Sequence, residues 1–276
     1  MNAEIVPLPA ATVTLVRDSV RGPEVLMMQR NLKSGFVPGA HIFPGGALDA
    51  EDEAPELQAL CTGISDEIAS RALGVERGGL AYWVAAIRES FEEAGVLVAY
   101  DGNQSVIALD RPAQADRFRG HRHVLNAGER GFIDIMREEG LTLAADQLVY
   151  FSHWITPVSA PRRYDTRFFI AAAPEAQEPL HDNQETISHL WVRPADALDR
   201  HRQNQFSMRL PTIRTLEEFA AFNRVESLML AMRNKRDIDA NLPRITRGGR
   251  YLVPGDAGYE ETAKAEQQGQ IGRAHV

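Results

Sequence analysis

An α+β fold, with helices on both faces of a mixed β-sheet, is the class predicted by this 276-residue chain. Three observations carry the prediction. Short segments rich in β-branched and alternating apolar residues recur at 11–17, 24–29, 148–156, 167–172 and 187–192. Segments of helical period lie between and after them, without the regular strand–helix alternation that builds a wholly parallel sheet. A helix ending at Gly95 carries Val84, Ile87, Phe91 and Ala94 as one apolar stripe, the pattern of a helix resting on a sheet.

Taken in order, residues 11–17 and 24–29 read as a hairpin across a turn at Gly22-Pro23. Residues 36–48 read as loop and short strand. Two helices are expected at 55–61 and 65–73, the second opened by Ser65. The helix over 82–94 stops at Gly95, which tolerates the left-handed conformation of a helix end. A short strand over 96–100 and a turn at Asp101-Gly102-Asn103 follow. Helices are expected at 113–122, exposed, and at 124–139, with Phe132, Ile135 and Met136 inward. Beyond the later strands, helices are expected at 194–201 and 213–232, the second amphipathic through Leu216, Phe219, Ala220 and Leu228. One domain over 8–240 results, with 194–240 as its C-terminal helical part. The polar, Gly-rich stretch 246–276 is expected to hold little packed structure after Gly255. Its end, Ile271-Gly272-Arg273-Ala274-His275-Val276, reads like a translated sequencing adapter, so a peroxisomal C-terminal address stays open beside a cytoplasmic location.

Composition narrows the function. No run approaches the length of a membrane span, and Met1-Asn2-Ala3-Glu4 has neither the basic nor the apolar region of a secretory signal. Cys61 is the only cysteine, which excludes an intrachain disulfide and a thiolate metal cage; its plain role is a small packed residue. A net charge of −8 argues against nonspecific nucleic-acid binding, which rests on basic surface. The same charge repels an anionic substrate unless cations intervene.

The motif of most consequence is Arg88-Glu89-Ser90-Phe91-Glu92-Glu93-Ala94-Gly95-Val96. Glu89, Glu92 and Glu93 stand at i, i+3 and i+4, so a helix projects them as one cluster. Like charges at that spacing cost a bare helix a few tenths of a kcal/mol per pair. A hard divalent cation, which prefers carboxylate oxygen and water, removes that cost. The competing reading is a solvated acidic face with an ordinary Arg88–Glu92 pair. Upstream, Gly39-Ala40-His41-Ile42-Phe43-Pro44-Gly45-Gly46 contains a tight turn whose glycines allow close backbone approach and whose carbonyls offer further oxygen ligands.

Together the two segments resemble the Nudix hydrolase box: Gly, five residues, Glu, seven residues, then Arg-Glu-apolar-any-Glu-Glu-any-Gly-apolar. The second half matches residues 88–96, with Ser90 where an aliphatic residue is usual. The first half matches at Gly45-Gly46, but 41 residues separate Gly46 from Arg88, so about 28 are inserted, within 49–79. A box split there is similar to the coenzyme A diphosphatase branch and its bacterial relatives. Arg163-Tyr164-Asp165-Thr166-Arg167-Phe168-Phe169 and Glu185 ahead of Trp191 add to the likeness. The first box acid falls at Asp52 counting from Gly46, with Asp49 the alternative, and the choice stays open.

The resemblance implies a Nudix-type α/β/α sandwich and a metal-dependent diphosphatase. It places Glu89, Glu92, Glu93 and the Gly46 carbonyl around Mg²⁺ or Mn²⁺, with Arg88 orienting a glutamate and Glu93 or Glu185 as general base. Arg30, Phe43, Gly45, Arg163 and Arg167 fall on the substrate side. For Glu185 a plain surface-loop acid competes, and for the two late arginines edge-strand solubility competes; His153 and Trp154 read as packing residues. Coenzyme A or acyl-coenzyme A, split to 3′,5′-ADP and (acyl)phosphopantetheine, is the substrate the branch implies. Leu26-Met27-Met28-Gln29-Arg30 fits a coenzyme A motif, but Asn31 and Gly35 depart from it. ADP-ribose, NADH or dinucleotide hydrolysis, and a silent ligand-binding module, are the alternatives. The expected partner is a small nucleoside diphosphate, without nucleic acid or membrane; a homodimer stays open.

Overall fold

A computed structural model describes residues 5–32, 38–181 and 186–267. In chain order the strands and helices are β1 (Leu8–Ser19), β2 (Gly22–Arg30), β3 (His41–Ile42), β4 (Gly45–Ala47), α1 (Pro55–Gln58), α2 (Asp66–Leu73), α3 (Leu80–Ala94), β5 (Ala99–Tyr100), α4 (Pro112–Asn126), α5 (Phe132–Glu138), β6 (Thr142–Leu143), β7 (Val149–Ile155), β8 (Tyr164–Ala172), β9 (Thr186–Val192), α6 (Pro194–Arg202), α7 (Leu210–Phe219), α8 (Val225–Arg233), β10 (Ala240–Asn241), β11 (Arg244–Ile245), β12 (Tyr251–Leu252) and α9 (Tyr259–Gln267). The main sheet runs β10-β7-β8-β1-β2-β3, with β4 added against β1 and β9 against β2. The long central pair β1–β8 is parallel, whereas β1–β2, β1–β4, β2–β9 and β7–β8 are antiparallel. The sheet is therefore mixed, as expected.

Because strand side chains alternate between faces, each central strand feeds two cores. Ala11, Val13, Leu15, Leu26, Met28 and Phe169 meet Trp83, Val84, Ile87 and Phe91 of α3 on one face. Val16, Val25, Met27, Phe168 and Ile170 meet Leu216, Phe219 and Leu228 of α7 and α8 on the other. The insertion belongs to the first core: Leu57 and Ala69 are fully buried in it. Ser65 opens α2 by accepting Ile68 N–H at 3.4 Å, and Gly74 closes it at φ +68°. Among the described residues no helix is long and apolar enough to cross a membrane.

Several expected boundaries move. The hairpin turn is Val20-Arg21, because the ladder extends to Ser19↔Gly22 and takes Gly22 and Pro23 into β2. The Ser19 hydroxyl accepts Arg21 N–H and donates to Gly22 O, closing the turn. The strand expected over 96–100 contracts to Ala99–Tyr100. The helix expected over 124–139 is broken: α4 ends at Asn126, Gly128 takes φ +67°, and α5 starts anew. Glu51 makes that start, accepting Phe132 and Ile133 N–H with its two oxygens. The helix expected over 213–232 is likewise two, and Asp18 caps the second by accepting Val225 N–H at 3.0 Å. Nor is 113–122 simply exposed, since Phe118, His121 and Arg122 are buried.

The tail also departs from expectation. Past Gly255 the chain forms α9, tied down by an Arg244–Glu266 ion pair at 2.5 Å and by the Tyr259 hydroxyl on Leu242 O. The adapter-like residues lie outside the described ones. Because the insertion fills core rather than decorating the surface, Leu57→Ala should destabilise the protein by about 2–5 kcal/mol, read as a lowered urea midpoint at unchanged m-value.

Candidate active site

The two halves of the box meet where β4 passes under α3. Thr12↔Gly45 and Ala11↔Gly46 pair the glycines with β1. A Cβ at Gly45 would lie 2.5 Å from Ala11 O, and one at Gly46 would fall inside the Glu89 carboxylate. Only glycine lets strand and acidic helix approach this closely. Gly45 N–H donates to Glu93 Oε2 at 3.2 Å, across 48 residues of sequence. Glu89 and Glu93 are 8% and 3% exposed, so the reading of a solvated acidic face is overturned.

Arg88 is the hub. Its guanidinium grips Asp52 bidentately, Nε to Oδ1 and the Nη2 group to Oδ2, both at 2.9 Å. Its Nη1 group reaches Glu89 at 2.9 Å and Glu92 at 2.8 Å, and Nη2 also donates to Ala47 O. Of the two candidates for the first box acid, Arg88 grips Asp52, which is fully buried, whereas Asp49 is 67% exposed and 3.5 Å away.

Residues outside the contiguous motif brace α3 at both ends. At its start, Asp66 of the insertion accepts Gly78 and Leu80 N–H at 3.1 and 2.9 Å, and Ser70 Oγ accepts Gly79 N–H. These satisfy donors that a helix N-terminus leaves unpaired. At its finish, Gly95 is left-handed at φ +68°, and Ser90 donates to Val96 O at 2.8 Å. The unusual Ser90 thus ties down the chain reversal, and lies fully buried without touching the carboxylates. Arg122 of α4 donates to Glu92 O, Glu93 O and Leu180 O. Asp66 and Arg122 were missed in the sequence: Asp66 stands like any first-turn acid, and Arg122 sits in a stretch that reads as exposed.

Of the expected substrate side, Gly45 is at the junction and Arg30 ends β2, opposite Thr186. Three assignments need correction. Phe43 points away, into the core on the opposite face with Val25, Met27 and Phe151. Arg163, 4% exposed, donates to the Thr156 and Ile5 carbonyls at 3.1 and 2.8 Å and so staples backbone. Arg167, also 4% exposed, is taken up by Asp165 and His153, with its guanidinium over the Tyr82 ring. Both guanidiniums are buried against protein partners, with Arg167 Nε left without an acceptor, a placement that strand pairing rather than sequence decides. Glu185 lies outside the described residues.

The carboxylates also converge less tightly than a shared cation requires. Among the described residues only His121, Glu138 and Glu139 bring three ligand atoms within 4.8 Å of one another. That trio already has its counter-charge, because Arg117 holds Glu139 bidentately and Arg130 pairs with Glu138. Around α3, Glu89 and Glu92 instead turn to Arg88, and Glu93 to the Gly45 amide. In donor type and charge the residues nonetheless suit a hard divalent cation. Asp52, Glu89 and Glu92 share one guanidinium, which leaves excess buried negative charge, and every donor is oxygen.

Burial, aided by Glu92 and opposed by Arg88, pushes Glu89 up to about 7. Burial likewise raises Glu92 and Asp52 against the pull of Arg88. A carboxyl raised in the folded state binds protons the unfolded chain has released, so it favours folding less as pH climbs. Metal-free protein should therefore lose stability between the ordinary value of 4.5 and about 7, and Glu89→Gln should flatten that slope. Divalent-cation affinity should rise over the same window and level off above it, with protons released into buffer, as titration calorimetry in buffers of different ionisation enthalpy reads. Asp52→Ala, which leaves the buried Arg88 Nε–H without its acceptor while Glu89 and Glu92 still pair the charge, should cost about 1–3 kcal/mol, and Asp49→Ala should leave the midpoint close to that of the parent chain.

Comparison with known proteins agrees with this geometry. The model of the NUDT19 Nudix domain matches residues 66–218, more than half of the chain. A Gallus gallus protein named acyl-coenzyme A diphosphatase NUDT19 is 29% identical over 239 residues, covering 74% of this chain and 63% of its own length. Its Homo sapiens namesake is 27% identical over 278 residues, covering 87% of this chain and 73% of its own. The chain thus spans 63% of the length of the chicken relative. The crystal structure of a Nudix hydrolase from Alicyclobacillus acidocaldarius superposes with a TM-score of 0.66 at 27% identity, covering 85% of this chain and all of that one. With a split box closed by Arg88 and Asp52 and a family model matching residues 66–218, the chain belongs to the Nudix family, in the branch of the NUDT19 Nudix domain.

Proposed function

We propose that the chain is a divalent-cation-dependent diphosphatase that cleaves coenzyme A or acyl-coenzyme A to 3′,5′-ADP and (acyl)phosphopantetheine. The observation that carries the reading is the junction of Glu89 and Glu93 with Gly45-Gly46, where acidic helix and glycine strand share one small volume. The names of the chicken and human relatives support the substrate class.

Glu89, Glu92 and Glu93, with the Gly46 carbonyl, would hold Mg²⁺ or Mn²⁺. When bound, the cation supplies charge neutralisation of the diphosphate and a more acidic water. The chain's own residues do the rest. Glu93, held by the Gly45 amide, would take the proton of the attacking water, with Glu185 the second candidate for that proton. Water oxygen bonds to one phosphorus as the bridging oxygen departs with the other, so two phosphate monoesters result. Arg88 keeps Glu89 and Glu92 aligned, and its bond to Asp52 fixes Arg88 in turn.

Purified protein should release 3′,5′-ADP from coenzyme A with Mg²⁺ or Mn²⁺, and release less product from ADP-ribose, NADH or dinucleoside polyphosphates. Glu93→Gln should lower the rate by roughly 100- to 10,000-fold with an unchanged circular-dichroism spectrum. Turnover that survives in the Glu92→Gln/Glu93→Gln double variant would refute this chemistry, and preference for another diphosphate would refute the substrate.

A further inference from the structure

We propose that Arg122, outside the box and on a different helix, is a positioning residue of the carboxylate site; the inference rests on the diphosphatase reading for its activity arm only. Arg122 is 7% exposed. Its guanidinium donates from Nε to Glu92 O at 2.8 Å, from Nη2 to Glu93 O at 2.6 Å and from Nη1 to Leu180 O at 2.6 Å. One turn along α4, Asn126 donates a further bond to Glu92 O at 3.1 Å. Leu180 N–H in turn donates to Ala94 O at 2.8 Å, so the incoming segment is stitched to the same helix end.

The chemistry of this contact is specific. The last carbonyls of a helix lack N–H partners and carry the negative end of its dipole. A planar guanidinium holds two such acceptors and the Leu180 carbonyl in one fixed fork, whereas an ammonium offers its donors from a single rotating centre. The two carbonyls held belong to the residues whose side chains face Arg88 and Gly45. Moving that backbone moves both carboxylates. Gly95 and Ser90 close the chain reversal through the Phe91, Ser90 and Val96 carbonyls, which leaves those of Glu92 and Glu93 to Arg122 and Asn126. Arg122 also lies beside the His181–His189 pair, whose Nδ1 atoms are 3.0 Å apart, and it helps hold His189 below its ordinary value after burial and His181. It therefore joins three parts of the chain, α3, α4 and the 178–181 segment, at one point behind the site.

Displacing a ligand-bearing group through its outer partner costs about 10- to 100-fold in metal affinity or rate. The test uses the full chain with Mn²⁺ alone, and separately with coenzyme A and Mg²⁺. Arg122→Ala should weaken Mn²⁺ binding by about 10-fold or more in electron paramagnetic resonance titration. It should lower kcat by about 10- to 100-fold while KM changes little, and millimolar guanidinium should restore part of both. Arg122→Lys, which keeps the charge on a shorter group without the planar fork, should fall between. Mn²⁺ affinity unchanged from the parent chain in Arg122→Lys, and in Arg122→Ala where it folds, overturns the proposal. So does a loss in Arg122→Ala that tracks thermal stability and that guanidinium leaves unrestored. If the parent chain binds Mn²⁺ but cleaves no coenzyme A, the substrate reading fails while the Mn²⁺ titration still decides the role of Arg122.

Discussion

Arg88 is 3% exposed and meets Asp52, Glu89 and Glu92, so its charge is what makes so much buried carboxylate tolerable. A buried ion pair adds little net stability compared with a well-packed apolar pair, because desolvation offsets attraction. Its value here is placement. The fork geometry of a guanidinium fixes Asp52 on one side and two glutamates on the other, and the Ala47 carbonyl sets how far β4 lies from α3. Strand, insertion and helix are thereby indexed to one group. The charge it leaves uncompensated is what the proposed divalent cation would meet.

A box interrupted by so many residues is physically inexpensive. Loop-closure entropy grows only logarithmically, by about 0.6 kcal/mol per doubling of length. The inserted segment more than offsets this by what it contributes. Leu57 and Ala69 add to the core, Asp52 pairs with Arg88, and Asp66 with Ser70 caps the first turn of α3. Glu51 caps α5 from the same short stretch. The insertion is a brace of the acidic helix. Together with Arg122 it holds the helix at start, middle and end, which is how a surface of like charges is kept in register.

Which features were legible in the amino-acid order follows from how local their causes are. The acidic helix, its apolar stripe and its stop at Gly95 depend on neighbours within a turn or two, and all stand as expected. The hairpin of β1 and β2 is likewise local, although its turn shifts by two residues because pairing extends to Ser19↔Gly22. The breaks after Asn126 and Phe219 were not legible, since the acids that cap the new helices, Glu51 and Asp18, come from distant parts of the chain. Phe43 shows the same limit at a single residue. It neighbours the glycine strand, yet side-chain alternation sends it to the opposite core.

The residue order alone settled the chemical vocabulary of the site: three glutamates at helical spacing, an arginine beside them, and a glycine pair able to approach closely. Those are properties of residue type and interval. Tertiary structure decided which groups share a volume: that Asp52 rather than the exposed Asp49 is the buried bidentate partner of Arg88, that Arg163 and Arg167 serve the sheet, and that Arg122 reaches the helix end. Electrostatic and hydrogen-bond strength depend on distance and burial, and neither is written in a linear spacing once the contacts cross from one element to another.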